Sequence, residues 1–255
     1  MNNVYFSSTL MWNATMDEIL KKAYFNKFKG IELWNQHFEF RDFCDEEYKR
    51  IADMYRLETI VHASSWDLNI SSINTGIREA SINEIFKSID LAKRINAKEV
   101  TVHPGRQTIN TFKEYHIDIL RDSLKRIRDY GREQDIEVSL EIMEKIPKEL
   151  ITTDKELKSI LEDLYEDFSY TLDIAHCKNE DEAINYINSI KNISKIHISN
   201  KIGTKLHTAL YDGDYDFNDL LPKLQKYNKP FVIEGFDKSN EFSIINNTIK
   251  FLNDF

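Results

Sequence analysis

Cysteine is scarce in this chain of 255 residues: Cys44 and Cys177 are the only two, and they lie far apart, outside any Cys-x-x-Cys pattern. Neither a disulfide framework nor a thiolate zinc site is therefore indicated, and any metal must use nitrogen and oxygen ligands. Glycine and proline are also few, at seven and four, and they are scattered singly. Because no stretch has the composition of a linker, we predict a single domain over residues 1–255.

Long hydrophobic runs are absent as well. No apolar segment approaches the roughly 20 residues needed to cross a bilayer, and the N-terminus, MNNVYFSSTLMW, has neither the basic start nor the long apolar core of a signal peptide. We therefore expect a cytoplasmic protein with no membrane partner. The formal net charge of −9 argues mildly against nonspecific nucleic-acid binding, which depends on Lys and Arg, without excluding a local basic patch.

Short β-branched or aromatic runs alternate with longer amphipathic segments along the whole chain. The predicted strands are residues 3–8, 30–34, 58–63, 99–103, 136–142, 169–174, 195–199 and 230–235. The predicted helices are 15–28, 45–56, 77–96, 110–130, 154–166, 180–191, 217–227 and 240–253. Eight such units in this length favour an α/β fold, a single (β/α)8 TIM barrel. A doubly wound open sheet is the alternative, but no Gly-x-Gly-x-x-Gly follows the first strand.

Candidate metal ligands fall at the predicted C-terminal ends of the strands, where barrel enzymes place their catalytic groups. They are His62, His103, Glu141, Asp173, His176, His197 and Glu234, with His207 after the seventh strand. His37 also follows a predicted strand, the second, but is not among the candidate ligands. Taken singly, a histidine here is commonly a hydrogen-bonded core residue, and Asp173 could be a turn residue. Burying Glu141, Asp173 and Glu234 together without a cation would cost several kcal/mol, which favours a metal. Imidazoles mixed with carboxylates suit zinc, manganese, cobalt or iron better than calcium.

The segments VHASSWDLNISSI, IREASINEIFKSIDLAKRINAKEVTVHPG, VSLEI, TLDIAH, KIHISN, LHTALYDGDYDF and FVIEG resemble, in this order, the xylose isomerase-like barrel superfamily. That superfamily includes sugar phosphate isomerases and epimerases and endonuclease IV. The resemblance to the sugar enzymes implies a divalent metal, Zn or Mn, held by Glu141, Asp173, His197 and Glu234. It also implies that the two glutamates act as acid and base, that His176 contacts the sugar, and that the substrate is a small sugar, sugar phosphate or polyol.

The resemblance to endonuclease IV implies a different metal content and provides the alternative function, a metal-dependent phosphoesterase acting on abasic DNA. It adds His62 and His103 as ligands, with Glu141 bridging two ions. A third ion in that pattern uses an Asp-x-His pair, but the matching residues are Lys205-Leu206-His207, and a protonated ammonium cannot be a ligand. His176 and His207 remain candidates for a weaker ion or for the substrate. The segment HASSWDLNI also lacks the tyrosine-leucine wedge, so nucleic acid is disfavoured but not excluded.

Tryptophans and cations supply the candidate substrate contacts. Trp12, Trp34 and Trp66 follow the first three predicted strands and either pack the barrel mouth or form a wall for the apolar face of a sugar ring. The cations in or near loops on the same side are Arg78, Arg106, Lys201 and Lys205. They could receive a phosphate or be solvated surface charges, and Arg106, directly after HPG, is the strongest candidate. A non-catalytic binding protein, with weak or absent metal binding, is the third possibility, and the oligomeric state is left open.

Overall fold

Eight parallel strands close into a barrel in the computed structural model, which describes residues 3–254. Two short strands outside the barrel come between its seventh and eighth strands. In chain order all the strands are β1 (Val4–Ser7), β2 (Gly30–Trp34), β3 (Glu58–His62), β4 (Glu99–Val102), β5 (Glu137–Ile142), β6 (Ser169–Asp173), β7 (Ile193–Ile198), β8 (Asn200–Ile202), β9 (Lys205–Thr208) and β10 (Phe231–Ile233). The ring runs β1-β10-β7-β6-β5-β4-β3-β2, and β8 and β9 form a separate antiparallel hairpin. The predicted TIM barrel is confirmed.

The helices surround this ring. They are α1 (Met16–Phe25), α2 (Asn35–Phe40), α3 (Asp45–Tyr55), α4 (Thr75–Arg94), α5 (Lys113–Gln134), α6 (Asp154–Leu161), α7 (Glu180–Ser189), α8 (Phe217–Gln225) and α9 (Ser243–Asn253), with 3-10 helices at Ser8–Met11 and Glu162–Asp167. The prediction of one helix over 154–166 was wrong in part, because the chain tightens into the second 3-10 helix after Leu161. Within residues 3–254, none of the helices has both the length and the apolar character needed to span a bilayer.

Capping side chains fix where several helices begin. Thr15 and Glu18 form the capping box at the start of α1: the Thr15 hydroxyl accepts from the Glu18 N–H, and the Glu18 carboxylate accepts from the Thr15 N–H. Asn74, Thr153 and Asn179 accept from the third backbone N–H of α4, α6 and α7. Each such cap stabilises a helix by about 1 kcal/mol. The caps therefore set the lengths of the loops that surround the barrel mouth.

Polar side chains fill much of the barrel interior. The only separate apolar cluster there among the described residues is Tyr5, Ile60 and Val232, whereas the main core lies between the ring and the helices. At the N-terminal end the fully buried Lys195 of β7 pairs with Glu99 of β4 through its ammonium. Because β4 and β7 are not neighbours in the ring, the contact between Lys195 and Glu99 shows that both side chains point into the barrel.

The β8–β9 hairpin follows β7 directly and lies over the C-terminal end of the barrel. Asn200 closes its base: the side-chain amide donates to the carbonyls of Leu210 and Tyr215, at 2.9 Å each, and accepts from the Tyr215 N–H. A Cβ at Gly213 would lie only 2.2 Å from the Asn200 Oδ1 atom, so this close approach requires glycine. The hairpin was not predicted from the sequence, where 200–208 read as loop.

Candidate active site

A cavity of about 830 Å³ opens at the C-terminal ends of the strands. Candidate ligands from the sequence analysis lie at its base, including His103, Glu141, His176 and Glu234, and His207 of the hairpin lines it from above. This is the face on which barrel enzymes carry out their chemistry. The cavity therefore gathers residues from predicted strands four to eight at one place.

Four buried ligands come from four consecutive strands of the ring. They are Glu141 of β5, Asp173 of β6, His197 of β7 and Glu234 directly after β10. The register of β6 and β7 pairs Asp173 with His197. The His197 Nδ1 atom lies 2.9 Å from a Glu234 carboxylate oxygen and 3.9 Å from oxygens of both Glu141 and Asp173. One ligand atom from each residue falls within 4.8 Å of the others, which is the spacing of ligands around a shared ion.

Asp173 has a structural task as well as a candidate ligand atom. Its Oδ1 atom accepts the N–H groups of Ala175 and His176, at 2.6 and 3.3 Å, and so fixes the turn after β6. Its Oδ2 atom is left facing His197. The turn interpretation and the ligand interpretation of the Asp173-x-x-His176 pattern thus describe the two oxygens of one carboxylate.

Unsatisfied polar atoms test whether this cluster fits a cation. Within residues 3–254, the buried atoms Glu141 Oε2, Asp173 Oδ2, His197 Nδ1 and Glu234 Oε2 make no hydrogen bond of good geometry, although His197 Nδ1 and Glu234 Oε2 lie 2.9 Å apart. Leaving such groups unpaired costs free energy, and three carboxylates at this spacing repel one another. A divalent cation would satisfy all four atoms at once, so the residues present fit a metal with a mixed nitrogen and oxygen preference.

His62 and His103 form a second cluster with Glu141. Their Nε2 atoms lie 3.5 and 3.3 Å from Glu141 Oε2. The His62 Nδ1–H donates to the Ala63 carbonyl at 2.8 Å, which leaves Nε2 free to face the carboxylate. The Trp34 ring stacks on the face of the His62 imidazole, with ring centroids 3.8 Å apart. This stacking and the hydrogen bond to Ala63 together fix the orientation of the imidazole.

His176 and His207 form a third cluster with Asp173. The His176 Nδ1–H donates to the Ile142 carbonyl at 2.9 Å, and His207 Nδ1 lies 3.1 Å from the Ser199 hydroxyl. Lys205, which stands where the endonuclease IV pattern has an acidic ligand, lines the cavity near them. The cluster therefore has two imidazoles and a carboxylate that it shares with the four-ligand cluster.

The charges in the cluster shift its pKa values in opposite directions. Burial alone would raise the pKa of Glu141 and Glu234, but His103 beside the first and His197 beside the second lower both well below the ordinary value. Burial raises the pKa of Asp173 well above its ordinary value, and the neighbouring Glu234 adds to the rise. The surroundings thus favour the ionised form of the two glutamates and the protonated form of Asp173.

Glu32 is a buried carboxylate that sequence reasoning missed. It lies inside the barrel on β2, fully buried, where it accepts from the Thr101 hydroxyl at 2.7 Å and contacts His197 Nε2 at 3.1 Å. The only signal in the sequence was a lone glutamate in the otherwise apolar strand GIELW. Nothing in that strand indicates which histidine it meets across the barrel.

The three predicted substrate-binding tryptophans occupy different places. Trp34 and Trp66 line the cavity. Trp34 is 7% exposed, and among the described residues nothing accepts from its indole N–H, whereas Trp66 is 44% exposed. Trp12 instead stacks on His37, which lies in α2 rather than in a strand-end loop, and its carbonyl contacts the His37 ring nitrogen. Trp34 and Trp66 are therefore the two placed to meet a ligand.

The predicted cationic residues also differ in whether they reach the cavity. Arg106 and Lys205 line the cavity, but the Lys201 ammonium bonds the carbonyls of Cys177 and Lys178 and lies over the Tyr215 ring. Arg78 donates to the Ser72 carbonyl at 2.7 Å. The structure thus places only two of the four candidate cations at the cavity.

Arg106 is held through its backbone. Its carbonyl accepts from the side chains of Asn69 and Ser71, and its N–H donates to Asn69 Oδ1. A Cβ at Gly105 would lie 2.3 Å from Ser71 Oγ, so the loop approaches this closely only with glycine. Arg106 also pairs as a β-bridge with Glu149, whose side chain lines the same wall of the cavity.

Comparison with known proteins gives matches along nearly the whole chain. An uncharacterized protein of Methanocaldococcus jannaschii is 29% identical over 255 aligned residues, which cover 94% of this chain and 91% of the relative. A solved structure of a D-tagatose 3-epimerase-like protein matches with a TM-score of 0.79 and 22% identity, over 99% of this chain and 98% of the other. A probable 3-DHS dehydratase from Bacillus anthracis matches with a TM-score of 0.78 and 17% identity, over 98% of both chains.

The two solved structures share the barrel fold with this chain, since their identities are too low to show more. A family model described as "Xylose isomerase-like TIM barrel" matches residues 20–255. With β1 as the one barrel strand outside that match, and with the closed ring described above, the chain belongs to the xylose isomerase-like TIM barrel family.

Proposed function

We propose that this protein is a divalent-metal-dependent isomerase or epimerase that acts on a small uncharged sugar by moving a proton on and off carbon. The observation that carries the proposal is the convergence of Glu141, Asp173, His197 and Glu234, with unsatisfied ligand atoms, at the base of one cavity. The likeness to a D-tagatose 3-epimerase-like protein supports the reaction class.

The same four residues would hold the ion. Their mixture of imidazole and carboxylate, without thiolate, suits zinc or manganese. When bound, such an ion polarises adjacent oxygens of a substrate and stabilises the negative charge that develops when a neighbouring carbon loses its proton.

Glu141 and Glu234 are the candidate acid and base. They stand at the two ends of the four-strand arc, with Asp173 and His197 between them, so their carboxylates approach a substrate from different sides. A general base must be ionised to accept a proton, and the lowered pKa of both glutamates meets that requirement. One carboxylate would take the proton from carbon and later release it to solvent, and the other, after taking a proton from solvent, would deliver it to the opposite face or to the neighbouring carbon.

The charge of the outer cavity wall favours an uncharged sugar over a sugar phosphate. Outside the ligand cluster the cavity is lined by three carboxylates, Asp67, Glu144 and Asp212, and by Glu149, whose pKa burial raises to about 7, against two cations, Arg106 and Lys205. A phosphate monoester adds a charge of about −1.5 to −2 at neutral pH. The wall would repel that charge, whereas carboxylates accept hydrogen bonds from sugar hydroxyls.

A proton-exchange experiment tests the proposal. The protein is loaded with Mn²⁺ or Zn²⁺ and incubated in D2O with a panel of free ketoses and the corresponding phosphates, and NMR follows the loss of carbon-bound protons. We expect exchange with at least one free ketose, and a loss of at least about 100-fold in the Glu141→Gln and Glu234→Gln variants, because each removes a proton-transferring group.

Glu58→Gln is the matched control. Glu58 lies at the N-terminal end of β3, remote from the cavity, where it accepts from the Tyr5 hydroxyl. Its replacement should leave exchange unchanged. Full exchange in both cavity variants would overturn the roles given to the two glutamates, and preference for a phosphorylated ketose would overturn the substrate class.

A phosphoesterase of the endonuclease IV type is the second candidate function. The cluster of His62, His103 and Glu141 favours it, because it offers a second ion site that shares a carboxylate with the first. The net acidic cavity wall opposes it, since a DNA backbone needs neutralising cations. Two tightly bound ions per chain together with cleavage of an abasic duplex would support this alternative.

A further inference from the structure

Glu32 is the buried carboxylate that neither the metal cluster nor the proposed proton transfers use. It is fully buried inside the barrel, on a strand that is not a ring neighbour of β7, yet it contacts His197 of β7 through both carboxylate oxygens, each 3.1 Å from Nε2. Burying a carboxylate so deeply costs several kcal/mol unless it is paired. The nearest lysine in the barrel, Lys195, directs its ammonium to Glu99 instead.

A hydrogen bond from β4 also holds the Glu32 carboxylate in place. The Thr101 hydroxyl of β4 donates to Glu32 Oε1 at 2.7 Å, so β2, β4 and β7 meet through this one carboxylate. The partner of Glu32 is therefore the ring nitrogen of His197 that faces away from the ligand cluster. The other ring nitrogen, Nδ1, faces Glu141, Asp173 and Glu234.

We propose that Glu32 is the positioning residue of the metal site: by accepting from His197 Nε2–H it keeps the proton on that nitrogen, so that Nδ1 is the nitrogen that offers its lone pair to a bound cation. A histidine ligand holds a cation through an unprotonated nitrogen, and a carboxylate on the opposite nitrogen both orients the ring and makes it more basic. Glu32 acts on the ion only through His197, and it touches neither substrate nor metal. The inference rests on the metal site of the proposed function but not on its reaction.

The prediction concerns metal affinity. Loss of such a carboxylate partner typically lowers affinity by about 10- to 100-fold. Glu32→Gln keeps a side-chain oxygen that accepts from His197 and Thr101 but loses the charge, whereas Glu32→Leu loses both. Affinity for Co²⁺ should therefore fall in the order wild type, Glu32→Gln, Glu32→Leu, with the first step about tenfold.

Co²⁺ titration of the metal-free protein, followed by the visible absorption of the bound ion, measures this directly and without a substrate. The spectrum reports the ligand geometry, so it should change in Glu32→Gln if the His197 ring turns. Glu99→Gln is the matched control: it also removes a carboxylate from the barrel interior, but one whose partners are Lys195 and Ser194. It should leave the Co²⁺ affinity within about twofold, whatever it does to stability.

Each result of the Co²⁺ titration supports or contradicts a specific part of the inference. If Glu32→Gln binds Co²⁺ with wild-type affinity and an unchanged spectrum, Glu32 does not position His197. If Glu99→Gln weakens binding as much as Glu32→Gln does, the effect comes from general destabilisation and the inference is equally wrong. A wild-type protein that binds no Co²⁺ would overturn the proposed metal site itself, whereas wild-type binding that Glu32→Gln leaves intact overturns this inference alone. Glu32→Gln is close in shape to the native residue, so the test stands even if Glu32→Leu fails to fold.

Discussion

Replacement of Glu149 by glutamine should stabilise the metal-free protein at alkaline pH and leave it unchanged at acid pH. Glu149 lies in the cavity wall beside Arg106, and burial together with the nearby charge of Glu144 raises its pKa from 4.5 to about 7. Between these values the folded protein holds a proton that the unfolded chain has already released. The free energy of unfolding therefore falls as the pH rises through this window.

The size of the effect follows from the shift. At about 1.4 kcal/mol per pKa unit, a rise from 4.5 to about 7 limits the loss to about 3 kcal/mol, and solvent around the partly exposed carboxyl reduces it. Glutamine resembles the protonated acid and does not ionise. Glu149→Gln should therefore match wild type at pH 4, below the unfolded pKa, and exceed its stability by about 1 to 2 kcal/mol at pH 8.

Urea denaturation of both proteins at pH 4 and pH 8, in the presence of a chelator, measures this difference. Comparing variant with wild type at each pH cancels the pH dependence of every other group. Glu144→Gln, which removes the neighbouring charge but keeps Glu149, should recover part of the gain. An identical difference between Glu149→Gln and wild type at the two pH values would refute the reasoning.

Three further predictions concern metal, substrate and core. Removing bound metal with a chelator should lower the thermal midpoint, and Mn²⁺ at about 100 times its dissociation constant should restore about 2.7 kcal/mol of stability; an unchanged midpoint in calorimetry would contradict the metal site. Trp66→Ala should raise KM by about two- to tenfold in steady-state assays through loss of an exposed aromatic face that lines the cavity, with little effect on kcat; an unchanged KM would show that this ring does not meet the substrate. Lys195→Met should cost about 3 to 5 kcal/mol in urea denaturation, because Glu99 keeps its charge inside the barrel without a cation, with the Ser194 hydroxyl as its remaining donor; a loss below about 1 kcal/mol would mean that solvent reaches Glu99.

Periodicity in the sequence was enough to predict all eight barrel strands, because parallel strands covered on both faces are short, apolar and regularly spaced. It also placed Glu141, Asp173 and His197 at the barrel mouth, since the carboxyl end of every strand lies on the same face. The prediction failed where structure depends on tertiary contacts. Helix α2 has six residues, too few to show a helical period, and the β8–β9 hairpin depends on the Asn200 hydrogen bonds.

The same limit applies to the residues of the candidate site, because contacts across the barrel could not be predicted from the sequence. The strand position of a residue fixes which end of the barrel it reaches, but not which side chain it meets across the ring, so Glu32 went unrecognised. Long flexible side chains are equally hard to place. Lys201 and Arg78 follow the right strands, yet their charged groups turn to backbone carbonyls away from the cavity.

The Asn200 side chain holds together the two ends of an insert, residues 201–214, that lies outside the ring of barrel strands. This insert carries Lys205, His207 and Asp212 to the cavity, above the four candidate ligands on the barrel strands. A change of sequence or length within the insert therefore alters the upper wall of the cavity while the strands below keep their register. In such a barrel the lining of the cavity can diverge through one short segment.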